Sequence, residues 1–246
     1  SITVKFKIIF MLFKQLFEKE SSTYTYLISC QEKQEAILID PVLETLQRDI
    51  DILNNLNLKL AYAIDTHIHA DHVTSAAALR EITNCKVAGP ENDNLKCRDI
   101  NLKNKDNIVV GSTVLLEAIY SPGHTNTHFS YMLNHNDNKL LFSGDALLIN
   151  TCGRTDFQSG SSRELFNTIK NIFYKLPDDT KIYPAHDYNN KNYSTIKDQK
   201  NDNSFIDEKT NVENFVNKMK NLKLDMPKKI DYAVPINSNC GILNSD

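Results

Sequence analysis

Residues 66–72 read THIHADH and bring His67, His69, Asp71 and His72 into seven consecutive positions. Imidazole and carboxylate at this density form the donor set of a metal site. The apolar run LAYAIDT (60–66) reads as a strand, and VTSAAALREIT (73–83) reads as a helix. The cluster therefore falls just past the C-terminal end of a strand, where α/β folds gather their ligands. The four side chains leave open whether they serve one ion or two.

Working outward, three more ligand-capable side chains follow apolar β-type runs. They are His124 in SPGHT, Asp145 in FSGDALL and His186 in YPAHD. A metal needs ligands that converge within a few tenths of an ångström, and rigid strand ends can deliver them. His128 shares the loop of His124 and reads as a hydrogen-bonding residue more than a ligand. Asp187, beside His186, reads as a local cap, and Asp156 lies in GRTDF.

The remaining chain supplies the scaffold. TYTYLISC (23–30) and EAILIDP (35–41) are rich in β-forming residues. Between them and the strand at 60–66, Leu43, Leu46, Ile50, Leu53 and Leu56 recur at helical spacing. CKVAGP (85–90) reads as a strand, and NIVVGSTVLLEAIYSPGH (107–124) reads as two strands around Gly111. FSYMLNHNDNKLLFSGDALL (129–148) is a hairpin with its turn at NHNDN (134–138). A helix at 162–176, a strand at 181–187 and helical stretches near 192–200 and 210–222 complete the pattern. Strands joined by tight turns alternate with strands joined by helices, so the sheets must be mixed. Two such sheets face to face, with helices outside, would bury these runs.

Composition narrows the partners. The 246 residues carry a net charge of −3 and no basic run, which argues against nucleic acid. The longest uninterrupted apolar run near the start, 8–13, is far too short to cross a bilayer core of roughly 30 Å, so no membrane role is expected. That N-terminal stretch reads as a targeting remnant or, at 12–17, as a first strand. The five cysteines are odd in number, scattered and without a CxxC pair. They read as unpaired, mostly buried thiols in a reducing compartment.

THIHADH, SPGHT, SGDA and PAHD together resemble the metallo-β-lactamase fold family. The resemblance implies an α+β, αββα sandwich with two mixed β-sheets flanked by helices. It implies a single domain over 1–246, with about 188–246 a short C-terminal extension packed on it. Across that superfamily the pattern assigns His67, His69 and His124 to one metal and Asp71, His72 and His186 to a second, with Asp145 bridging. Four longer stretches are similar to the persulfide dioxygenases within it: SGDALLINTCGRTDFQSG (143–160), IYPAHDY (182–188), LIDPVLET (38–45) and IDYAVPINSNCG (230–241).

That finer resemblance implies one Fe(II) per chain, held by His67, His124 and Asp145, the two-histidine, one-carboxylate set of non-haem iron oxygenases. His69, Asp71, His72 and His186 would then surround and orient those ligands; a zinc or mixed dinuclear site is the alternative. The implied reaction oxidises glutathione persulfide with O2 and water to sulfite and glutathione. Arg154 is the candidate grip for a substrate carboxylate, unless it only salt-bridges Asp156; Tyr188, Asn237 and Cys240 are candidate pocket residues. The rival reading is a glyoxalase II-like hydroxyacylglutathione hydrolase with two metals. A homodimer is common among such relatives, and the resemblance favours a mitochondrial location over the cytoplasm or another organelle.

Overall fold

Alternation along the strands sets the architecture. Along the strand 23–30, Tyr26 and Ile28 enter one apolar cluster and Leu27 enters another; along 35–39, Ile37 and Ile39 part from Leu38 in the same way. Both faces of these strands are therefore covered, which period-two side chains demand of a sheet between two layers. A computed structural model describes residues 11–135 and 138–243. The first ten residues, where a targeting remnant was one expectation, and the centre of the NHNDN turn lie outside them.

The first sheet holds β1 (Met11–Glu18), β2 (Thr23–Cys30), β3 (Glu35–Ile39), β4 (Lys59–Ile64), β5 (Lys86–Pro90) and β6 (Ile100–Leu102), in that spatial order. β1 to β3 pair antiparallel and β3 to β6 pair parallel. The first two parallel crossovers run through α1 (Leu46–Asn55) and α2 (Ala76–Thr83), the third through a loop with a 3-10 turn at Glu91–Asp93. Leu53, Ala76 and Leu79 from these helices cover Leu27, Leu38 and Leu60 on the sheet's outer face.

The second sheet is built from β7 (Asn107–Val110), β8 (Val114–Tyr120), β9 (Phe129–His135) and β10 (Asn138–Gly144) as an antiparallel meander. A short hairpin, β11 (Leu147–Leu148) with β12 (Thr151–Cys152), leads into α3 (Ser162–Asn171). The chain then returns to β10 in parallel as β13 (Lys181–Pro184), edged by β14 (Ser194–Thr195). The helix expected over 162–176 ends at Asn171 and is followed by a short 3-10 turn at Phe173–Lys175. α4 (Ile196–Asp202), α5 (Val212–Lys220) and α6 (Ile230–Asn237) follow.

Inner faces of the two sheets meet in one core, with Tyr26, Ile37 and Ile64 opposite Leu116, Tyr131 and Phe142. α3 and α5 close the far side, where Leu165, Ile169 and Phe215 pack on Met132, Leu141 and Ile182. The fold is thus the expected sandwich of two mixed sheets between helical layers. The tail divides between those layers: Phe215 and Met219 pack with α3, whereas Cys240 packs with α2.

Sequence reading missed β6, β11, β12, β14 and α6. These strands have two or three residues each, too few for a period to register. α6 carries Pro235 inside the helix, which hides it. The cysteine expectation needs a larger correction. Cys97 and Cys240, 143 residues apart, form a disulfide, while Cys30, Cys85 and Cys152 are free and buried. Such a long-range pair has no spacing signature, so the count alone suggested five thiols. With that bond formed, the cysteines no longer favour a reducing compartment.

Candidate metal centre

All four ligand-bearing loops converge at one edge of the sandwich. The loop after β4 brings His67, the loop after β8 brings His124 and the end of β10 brings Asp145, with one ligand atom of each within 4.8 Å of the others. The Asp145 Oδ2 atom lies 3.4 Å from His124 Nε2 and 3.7 Å from His67 Nε2. Backbone geometry permits this convergence at Gly123, where φ is +137° and an added Cβ would meet the Leu165 Cα at 2.3 Å. Only glycine lets the His124 loop turn so close to α3.

Hydrogen bonds fix which imidazole nitrogen faces the centre. His124 Nδ1 donates to the Arg154 carbonyl at 2.7 Å, so Nε2 presents its lone pair. The Thr66 hydroxyl donates to Asp40 at 3.0 Å and accepts from His67 Nδ1 at 2.9 Å, which frees His67 Nε2 in the same sense. Asp40 also accepts from the Thr66 amide at 2.7 Å and from His69 Nε2 at 2.9 Å. One buried carboxylate thus orients two histidines, the support that metal-binding imidazoles commonly have. Asp40 was not singled out from sequence, although in LIDPVLET it too stands just past a strand, as the expected ligands do.

A second group lies alongside. His186 Nε2 is 3.4 Å from both Asp145 Oδ1 and Asp71 Oδ2, while its Nδ1 donates to the Ser22 carbonyl at 3.0 Å. His72 Nδ1 lies 3.2 Å from Asp71 Oδ2 and 3.3 Å from the Thr23 hydroxyl. His128 is a hydrogen-bonding residue: its Nε2 accepts the Asp145 amide at 3.1 Å and its Nδ1 meets Ser121 Oγ at 2.9 Å. Asp187 accepts the amides of Asn189, Lys191 and Asn192, which is local capping.

Electrostatics match this wiring. Burial, with His69 and His124 beside it, holds His67 well below its ordinary value, so it stays a neutral donor. Burial and His124 take His128 down to about 3, in keeping with its acceptor role. Burial opposes a charge on His69, but Asp40 more than offsets it and raises the group to about 9. His186 is also pushed up against burial, by Asp145 and Asp71. Burial alone would raise the Asp145 carboxyl; His186 and His124 hold it far below the usual range.

The donors fit a metal ion. Asp145 Oδ1, His69 Nδ1 and His72 Nε2 are buried and make no hydrogen bond within the protein, although polar atoms out of water need a partner. Asp145 also lies at the floor of a cleft of about 510 Å³, which reaches His67, Asp71, His124 and His186 as well. Its walls are mostly apolar, from Leu148, Phe157, Phe205, Leu222, Leu224 and Pro227.

The four expected pocket residues fare differently. Tyr188 lines the cleft, with its ring nearly parallel to that of His186 at 6.1 Å. Arg154 lines it too, but its fork is taken: Nε and Nη2 each donate to Asp156 at 2.7 Å. Nη1 donates to the Asp225 carbonyl at 2.6 Å, and the guanidinium lies 4.5 Å over the Phe157 ring. Asn237 is buried, and its amide faces the backbone of the 67–74 loop. Cys240 is buried in the disulfide beneath α2 and does not line the cleft. The wall formed by 222–227 was not foreseen, because nothing in NLKLDMPKK marks it as lying over a site.

Comparison with known proteins agrees with the fold. The metallo-beta-lactamase superfamily signature matches residues 19–186. The mitochondrial persulfide dioxygenase ETHE1 of Homo sapiens is 41% identical over 233 residues, covering 94% of this chain and 89% of its own. A hydroxyacylglutathione hydrolase of Polaromonas sp. is more distant, 31% identical over 72% of this chain and 68% of its own. Among solved structures, ETHE1 from Myxococcus xanthus superposes with a TM-score of 0.89 at 42% identity, covering 94% of this chain and all of that one. The chain belongs to the metallo-beta-lactamase superfamily and, within it, to the family of the persulfide dioxygenases.

Proposed function

We propose that this chain oxidises the outer sulfur of glutathione persulfide, with one Fe(II) held by His67, His124 and Asp145. The observation that carries the reading is the compact His–His–Asp set at the floor of an apolar cleft, in a chain 41% identical to a persulfide dioxygenase. Ferrous iron in such a site supplies the redox chemistry that lets O2 react, and two histidines with one carboxylate leave positions open for reactants.

The protein's own part is positioning. Thr66 and the Arg154 carbonyl hold the two imidazoles in the tautomers that present Nε2. The Asp145 carboxylate stays ionised because His186 and His124 favour its charge. Leu148, Phe157, Leu222 and Leu224 give the cleft apolar walls, which reduce the water beside the centre and strengthen charge interactions there. Bound there, the persulfide anion lies close to the centre, and bringing reactants together removes much of the entropic barrier. Atoms balance: both oxygens of O2 and one of water end in sulfite, the sulfur loses four electrons to O2, and glutathione leaves.

The relatives named mitochondrial support the same compartment here. Among the described residues no helix is long and apolar enough to cross a membrane. Protein purified anaerobically with iron is expected to consume O2 when given glutathione persulfide, with sulfite appearing in equal amount. No uptake under those conditions would overturn the proposal. The two-metal hydrolase reading rests on Asp71, His72 and His186 beside the centre. Rapid hydrolysis of S-lactoylglutathione under nitrogen would favour it.

A further inference from the structure

The loop from His67 to Thr74 carries four of the site's side chains, yet none of it belongs to a helix or strand. Its backbone polar groups must find partners elsewhere, since the loop is largely buried. Three of them find one side chain. Asn237, 4% exposed at the end of α6, donates through Nδ2 to the carbonyls of His69 and His72, each at 2.8 Å. Its Oδ1 accepts from the Thr74 amide at 2.9 Å. Both amide N–H groups and one oxygen lone pair are thereby spent on a loop 165 residues earlier in the chain.

The tail that delivers this amide is pinned where it does so. Cys240 is disulfide-bonded to Cys97, and its carbonyl accepts from the Ala77 amide at 3.1 Å. Gly241, at φ +82°, packs so closely that an added Cβ would lie 2.1 Å from the Thr74 carbonyl oxygen. Thr74 in turn donates from its hydroxyl to Asp65 at 3.0 Å, and Asp65 lies 3.8 Å from His69 Nε2.

We propose that Asn237 is a positioning residue of the metal centre. It touches neither substrate nor ion, but fixes the backbone at His69 and His72, and through that loop the reach of His67. Removing the amide would leave two carbonyls and one N–H buried without partners, which is costly out of water. The loop relieves that cost by shifting, and the histidines shift with it. This inference rests on the reading of the site as a metal centre.

Cobalt(II) serves as the probe, because its visible spectrum reports ligand geometry and its affinity can be measured by chelator competition without any turnover. Asn237→Ala is expected to weaken cobalt(II) binding about 10- to 100-fold, the usual range for residues supporting metal ligands, and to alter the spectrum. Asn237→Asp keeps the acceptor but sets a carboxylate against two carbonyls, so its loss should be at least as large. Ala233→Gly loosens α6 without touching the amide and should leave affinity within about twofold. Should Asn237→Ala not fold, Asn237→Ser keeps one acceptor and is expected to bind more weakly than the intact chain, with an altered spectrum. Unchanged affinity in the Asn237 variants, or equal loss in Ala233→Gly, would overturn the proposal. Failure of the intact chain to bind cobalt(II) would instead strike the metal-centre reading itself.

Discussion

At the residue scale, the histidine–aspartate cluster divides around Asp145. Asp145 turns Oδ2 toward His67 and His124, and only its other oxygen faces His186. If iron sits with the first three, His124→Ala and Asp145→Ala should each bring metal content close to zero. His186→Ala should retain most of it, as read by elemental analysis of anaerobically purified protein; equal loss in all three would point to a shared, two-metal site. Arg154 is a subtler case. Its bonds to Asp156 and to the Asp225 carbonyl show that it holds the cleft wall in place. Arg154→Ala should therefore raise KM for the persulfide roughly tenfold, about 1.4 kcal/mol of binding, with a smaller change in kcat. An unchanged KM would mean that the cleft wall keeps its shape without Arg154.

These roles were unequally legible. His67, His124, Asp145 and His186 could be read because each follows an apolar run, and chain order alone says where a strand ends. Asn237 and Cys240, read from a family motif as pocket residues, instead hold a loop and a disulfide, because their partners lie 143 to 168 residues away, where no spacing shows them. The competing readings of Arg154 could not be separated without knowing that Asp156 turns back toward it.

At the scale of elements, α1 shows both what periodicity reveals and what it conceals. Leu46, Ile50 and Leu53 gave the helix its apolar stripe, and the helix forms where the spacing places it. Asp49 falls on the same stripe and is 1% exposed. Its neighbour Arg48 reaches it with Nε at 2.9 Å, but burial prevails and the carboxyl is raised to about 6. The sign follows directly. A carboxyl that holds its proton more tightly when folded destabilises the fold where it is charged, and that cost fades as pH falls through about 6 toward 4. Asp49→Asn should therefore gain stability relative to the unaltered chain at pH 8, by up to about 2–3 kcal/mol, and the gain should shrink by pH 5. Paired thermal melts across that range would show it; a difference independent of pH would contradict the burial argument.

At the scale of the whole molecule, the sheets were readable as two mixed layers because hairpin turns and helical crossovers leave different marks. The way the tail joins those layers was not readable. It passes from α5 on one side, along the cleft at 222–227, to Cys240 on the other. The Cys97–Cys240 bond closes most of the chain into one loop, and loops of that size are stabilised by roughly 2–5 kcal/mol. Reduction should therefore shift the urea midpoint downward, and Cys97→Ser should reproduce the shift without added reductant. A midpoint indifferent to reductant would mean that packing alone holds the tail.

The proposed reaction needs only one ferrous ion per chain. Metal-free protein titrated with Fe(II) without oxygen, then assayed for O2 uptake with glutathione persulfide, tests this directly. Activity should rise linearly and stop at one iron per chain. Activity that continues to climb to two metals per chain, or that requires zinc beside the iron, would contradict it.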